Sequence, residues 1–140
     1  MTPTRRSVSP LMLIRPWTTI RKAEPGREYV ALLSELRLNS FRMMPAFFSY
    51  SNKVQGQLKR TPGVIGFSLN AHVFQKMFWT LSVWESAEAL AEFVHEKPHK
   101  DVMEGLQGKF RDPRFIQWKI SSLQCPPSWS HAFRVREEGL

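Results

Sequence analysis

The chain has 140 residues and a mass of 16.3 kDa, with 42% hydrophobic and 23% charged residues. That suits one domain able to bury roughly two-thirds of its unfolded surface and excludes a two-domain enzyme. Twenty Lys and Arg against 12 Asp and Glu give +8, and 12% aromatic residues are too many for a disordered chain. No apolar run approaches the roughly 20 residues that cross a bilayer, so no membrane span is expected. The single Cys125 cannot staple the chain to itself, which makes a reducing, cytoplasmic compartment the expectation.

Residues 1–26 carry five of the basic side chains against Glu24 alone, so half of the charge excess sits in a Ser-, Thr- and Pro-rich arm predicted to be flexible. Thr4-Arg5-Arg6-Ser7 has the look of a targeting signal. Only Leu11 to Ile14 follow as an apolar stretch before Arg15-Pro16, and no small-residue cleavage site comes after, so a plain extension is expected. From Arg27 the hydrophobic period becomes readable. Arg27 to Leu38 alternates, with Val30, Leu32, Leu36 and Leu38 against Tyr29, Ala31, Leu33, Glu35 and Arg37, and predicts a strand. Met44, Phe47, Phe48, Ser51, Val54, Gln55 and Leu58 recur at three- and four-residue steps around Pro45, predicting a helix over 44–60 that Thr61-Pro62-Gly63 stops. Val64 to Phe74 and Met77 to Trp84 alternate with period two about a Gln75-Lys76 turn and predict a hairpin. Ser86 as N-cap and Glu88 open a helix with the stripe Ala87, Leu90, Ala91 and Val94, which Pro98 is expected to break. Val102, Met103, Leu106 and Phe110 mark a second short helix ended by Arg111-Asp112-Pro113. Phe115 to Leu123 gives a last strand, and the tail from Cys125 reads as irregular. The expected division is an arm over 1–26, a domain over 27–123 and a tail over 124–140.

Strand, helix, strand, strand, helix, strand is the ferredoxin-like βαββαβ order, an α+β fold with a four-stranded antiparallel sheet and both helices on one face. Ile65, Phe67, Leu69, Trp79, Leu81 and Val83 are expected beneath the helices, leaving Phe74, Phe78, Trp84 and Phe115 on the other face. Apolar area left wet costs about 25 cal/mol per Å², so a second copy is expected to cover it, sheet against sheet, in a dimeric α+β barrel. Phe78-Trp79-Thr80-Leu81-Ser82-Val83-Trp84-Glu85-Ser86, followed by Glu88-Ala89-Leu90, Phe93 and Pro98-His99, resembles the antibiotic biosynthesis monooxygenase-like proteins of the dimeric α/β barrel superfamily, over residues 27–123. The resemblance implies a homodimer with a pocket for a hydrophobic or aromatic small molecule in each subunit. Members include cofactor-independent oxygenases of aromatic polyketides and haem-degrading enzymes. The latter carry a Trp nine residues after the position of Trp84 and a His about ten residues beyond that. Here Phe93 and Met103 stand there, with His99 one turn away, so haem is not expected and neither is another cofactor.

Alternation places Ser68, Asn70, His72, Thr80, Ser82 and Trp84 inside such a barrel, together with Phe78 and Phe115. A few polar groups among aromatics is the usual make-up of a small-molecule site. A cofactor-free oxygenase must bind a phenol, remove its proton and hold the anion near dioxygen. Asn70 is the candidate hydrogen-bond partner of the substrate oxygen, His72 or His99 the candidate base, because imidazole titrates near neutrality, and Trp84 the stacking surface. The plainer reading keeps Asn70 and His72 as ordinary residues near a hairpin end and Trp84 as interface packing, in a non-catalytic binding or structural dimer. His95-Glu96-Lys97-Pro98-His99 fits H-E-x-x-H, but that motif needs an unbroken helix and a third ligand, so no metal site is expected. Cys125-Pro126 reads as a turn. A pI near 10.2 raises nucleic acid as a partner, yet no RNP-type run is present and Gly66-Phe67 is assigned to the helix side, so none is expected.

Overall fold

The computed structural model describes residues 11–96 and 99–138. Its elements are β1 (Leu11–Thr19), β2 (Glu28–Leu38), α1 (Met44–Arg60), β3 (Val64–His72), β4 (Met77–Trp84), α2 (Ala87–His95), α3 (His99–Gly105), β5 (Phe110–Ser121) and α4 (Trp129–Glu138). Pro45 sits in the first turn of α1, where its missing N–H is not needed, and the Ser86 hydroxyl accepts from Ala89 N at 3.0 Å to cap α2. The helical segment divides between His95 and His99; Pro98, expected to divide it, lies outside the described residues. None of the described helices is long and apolar enough to cross a membrane.

The sheet is antiparallel throughout, in the order β1-β3-β4-β2-β5. Four of its strands reproduce the ferredoxin-like order, and β1 adds a fifth beside β3. The expectation of a flexible arm is therefore corrected from Leu11 onward, and residues 1–10 lie outside the described set. Gly66 makes the addition possible. A Cβ there would stand 2.5 Å from Trp17 and 2.6 Å from the Thr18 carbonyl oxygen, so only glycine lets β1 approach. Trp17 then packs against the buried cluster of Tyr29, Ala31, Ile65, Val83 and Ile120. Gly66→Ala is accordingly expected to cost about 1–3 kcal/mol and to speed amide hydrogen exchange in β1 while leaving β2 protected. Exchange unchanged in β1 would contradict this role.

Pairing register, which periodicity does not report, decides the faces. Leu69 lies opposite Thr80, Asn70 opposite Trp79 and Ala71 opposite Phe78, and opposed residues share a face. Phe67, Leu69 and Trp84 consequently meet Leu58 of α1 with Leu90 and Phe93 of α2, while Ala71 and Phe78 meet Phe47, Val102 and Leu106. Trp79, Leu81 and Val83 point the other way, which reverses the expected assignment of β4. Ile65 parts from Phe67 because the register slips between Val64 and Gly66.

The tail expected to be irregular holds α4, and this helix covers the face assigned to a partner's sheet. Leu33, Met77, Trp79, Leu81 and Ile116 pack there on Ala132 and Val135, with Trp118, Trp129 and Phe133 closing the rim. Trp129 Nε1 donates to the Ser68 hydroxyl at 3.2 Å. Glu35, only 6% exposed, accepts from Arg136 through both carboxylate oxygens and from Trp79 Nε1 at 2.9 Å. Trp84 thus lies beneath its own helices, and the greasy face that called for a sheet-to-sheet dimer is hidden within one chain. Arg111-Asp112-Pro113, expected to end a helix, lies within β5 instead. As an edge strand β5 tolerates a proline that a central strand would not.

Candidate active site between the sheet and its helices

The face of the sheet beneath α1, α2 and α3 is not filled completely. A cavity of about 120 Å³ remains, walled by Leu32, Ser34 and Leu36 of β2, Phe67 and Leu69 of β3, Thr80, Ser82 and Trp84 of β4 and Phe115 of β5. On the helix side it is bordered by Tyr50, Ser51 and Gln55 of α1, Phe93 and Val94 of α2, and His99 and Met103 of α3.

An aromatic ladder runs along one wall. Trp84 lies 5.0 Å from Phe93, and Phe93 lies 5.0 Å from His99, centroid to centroid. Trp84 is 1% exposed, and its Nε1 donates to the Ser82 hydroxyl at 2.9 Å. Gln57 of α1 holds the junction of α2 and α3. Its side-chain nitrogen donates to the Phe93 carbonyl at 3.2 Å, and its side-chain oxygen accepts from His99 N at 2.7 Å. His99 Nδ1 lies 3.2 Å from the Val94 carbonyl. A carbonyl only accepts, so in the neutral ring Nδ1 carries the hydrogen and Nε2 the lone pair. Burial holds the His99 pKa below its ordinary value, although the Val94 bond pulls the other way, so the ring is neutral near pH 7 and able to take a proton. Gln55 is buried; its amide nitrogen donates to the Ser51 hydroxyl at 3.1 Å, and its Oε1 has no partner among the described residues.

The structure divides the residues singled out from the sequence. Thr80, Ser82, Trp84, Phe115 and His99 line the cavity. Phe78 is buried on the same side but sits behind the wall, 4.3 Å from Phe47. Ser68, Asn70 and His72 lie across the sheet, and their expected position beside Thr80 and Ser82 is corrected by the hairpin register. Ser68 donates to the Arg15 carbonyl at 2.9 Å. Asn70 Oδ1 accepts from Ala71 N at 2.9 Å. His72 lies edge-on to Trp79 at 5.6 Å, with Gln75 Oε1 3.1 Å from its Nδ1. Ser51 and Gln55 were not singled out, although two polar residues four apart inside the apolar stripe of α1 were the available signal. His95 and His99 belong to different helices, which removes the geometry of H-E-x-x-H, and no group of three or more His, Cys, Asp or Glu among the described residues is placed to hold a metal ion. Cys125 is half-buried and its thiol is pushed up by burial, which keeps it protonated and unreactive.

The architecture defines a ferredoxin-like α+β fold, the fold shared by solved structures related to antibiotic biosynthesis monooxygenases. Residues 39–135 match the family model described as Domain of unknown function (DUF3291), and the chain belongs to that family. No curated protein matches the chain. Among solved structures, a monooxygenase candidate from Lactobacillus acidophilus NCFM is 15% identical with a TM-score of 0.61, over 79% of this chain and 53% of its own. An uncharacterized ferredoxin-fold protein related to antibiotic biosynthesis monooxygenases from Listeria monocytogenes 4b F2365 is 12% identical with a TM-score of 0.60, over 78% of this chain and 63% of its own. A variant of SnoaB, a cofactor-independent oxygenase from Streptomyces nogalater, is 13% identical with a TM-score of 0.53, over 71% of this chain and 98% of its own. The chain thus spans about half the length of the first of these, and at such identities the likeness is one of fold.

Proposed function

We propose that the cavity beneath α1–α3 binds a hydrophobic aromatic molecule bearing a hydroxyl or an enolisable carbonyl, and that His99 takes its proton at Nε2 to begin a cofactor-independent oxygenation. The observation that carries this reading is an apolar, aromatic-walled cavity holding a neutral imidazole and a buried Gln55 amide with an open hydrogen-bonding position. Loss of the proton makes the ring system electron-rich enough to react with dioxygen directly. One oxygen atom becomes a new ring carbonyl, and the other leaves as water with two substrate hydrogens, both from that carbon in a keto substrate, or one from it and one from the hydroxyl in a phenolic one. Gln55 Oε1, an acceptor, receives a hydrogen bond from a ligand hydroxyl other than the group that loses its proton, Phe93 and Trp84 give the flat wall, and the surrounding apolar side chains limit bulk water around the anion. Homodimerisation through the sheet is not part of this reading, since α4 occupies that face.

Oxygen uptake with anthrone- and naphthol-like compounds tests it. His99→Gln is expected to lower the rate about a hundredfold, the usual scale for a lost general base. Because His99 protonates only below its ordinary range, the rate of the wild type should stay level from pH 8 down through about 6.5 and fall only below that. Saturable binding with no uptake would assign the cavity to a non-catalytic binder, the alternative reading. Neither binding nor uptake would overturn the proposal.

A further inference from the structure

The opposite face of the sheet carries a second cavity, of about 200 Å³, at the end of β2 and the start of β5 beside α4. We propose that it binds the phosphate group of a small molecule. Four guanidinium groups line it: Arg37 of β2, Arg111 and Arg114 of β5, and Arg136 of α4. Only two carboxylates, Glu35 and Asp112, face them. Glu35 is already engaged by Arg136 and Trp79. Arg37, Arg111 and Arg114 have no ion pair among the described residues, and Arg37 Nε is buried with no hydrogen-bond partner.

Backbone geometry creates this concentration of charge. Glu35 lies opposite Arg114 and Arg37 opposite Arg111, so two residues on β2 match three on β5. The extra residue is a bulge, and Asp112 adopts φ 47, left-handed backbone that a side chain makes costly. In a regular strand Arg111 and Arg114 would point to opposite faces. With the bulge both line the cavity on the side of Glu35 and Arg37. Like charges directly opposed across an antiparallel pair destabilise it, and here Arg37 and Arg111 are so opposed. Strain, repulsion and a buried unpaired donor thus converge on one concave spot. A doubly charged oxyanion seated between the guanidinium forks resolves the last two, because it accepts several charge-assisted hydrogen bonds at once. Three guanidiniums outside any ion pair, of which Arg114 meets the Glu35 carboxylate only through its field, suit the several oxygens of a phosphate better than the two of a carboxylate.

Calorimetric titration of the full chain with inorganic phosphate and pyrophosphate at constant ionic strength tests the site. Saturable one-to-one binding is expected. Arg37→Gln and Arg111→Gln should each weaken it about tenfold or more, as loss of a charge-assisted bond predicts. Arg114→Gln, on the exposed edge strand, gives the same reading where Arg37→Gln disturbs folding. Asp112→Asn should tighten binding by removing the one free carboxylate, and Arg60→Gln at the end of α1 should change nothing. No saturable binding, or equal weakening by Arg60→Gln and Arg111→Gln, would overturn the site. Tighter binding of citrate than of either phosphate would overturn the choice of ligand.

Discussion

Replacing Ala132 with glutamate is expected to undock α4 and turn the protein into a self-associating one. Ala132 is fully buried against a cluster that includes Leu33, Trp79, Leu81 and Ile116. A carboxylate placed there sits among apolar side chains, and the arginine one turn along α4, Arg136, is already held by Glu35 and Glu137. The cost should be about 3–5 kcal/mol, the scale of an uncompensated buried charge. Light scattering should then report dimers or larger species, because the apolar face no longer has its own cover. Acid below about pH 4 should have a related effect on the wild type. Burial pushes the Glu35 pKa up, but the hydrogen bonds from Arg136 and Trp79 outweigh it and hold the carboxyl below its ordinary value. The stability this contributes is complete above the unfolded carboxylate range, about pH 4.3, and is lost as pH falls through the lower folded value. An Ala132→Glu protein with wild-type stability and mass would mean that α4 does not cover the sheet.

Trp84→Ala should be the most damaging change on the cavity side. The indole is buried against Phe93 within the cluster of Leu58, Phe67, Leu69 and Leu90, and its loss leaves the Ser82 hydroxyl without its donor. A large-to-small change of this kind costs about 3–5 kcal/mol, and it enlarges the cavity. The variant should therefore regain more stability from an added bicyclic aromatic than the wild type does, by mass action on a roomier site. Denaturant unfolding with and without 1-naphthol reads both effects. A loss under about 1 kcal/mol would place Trp84 outside the core.

These two residues also show what was legible in the sequence. Element boundaries were local matters: the period of β4, the Thr61-Pro62-Gly63 stop and the Ser86 cap stand where the sequence places them. Which face of β4 met the helices depended on a register set across the hairpin, and a strand with large side chains on both faces gives alternation no preferred side. Trp84 and His99 were therefore identified as pocket residues for a face that proved to be a different one, and Asn70 and His72 were grouped with them although the sheet lies between. Helix α4 was readable from Trp129, Ala132, Phe133 and Arg136 at three- and four-residue steps, but Cys125-Pro126-Pro127 reads as the end of structure. Strand β1 was masked by Pro16 and its polar neighbours, and its one trace elsewhere was a glycine inside β3.

The five tryptophan indoles give the most direct test of the central claim, that the ligand site lies under α1–α3 and not on the α4 side of the sheet. In a proton–nitrogen correlation spectrum titrated with 1-naphthol, the Trp84 indole signal should move and saturate while those of Trp79 and Trp129 stay in place. Movement of Trp79 and Trp129 with Trp84 unmoved, or no movement of any indole, would contradict it.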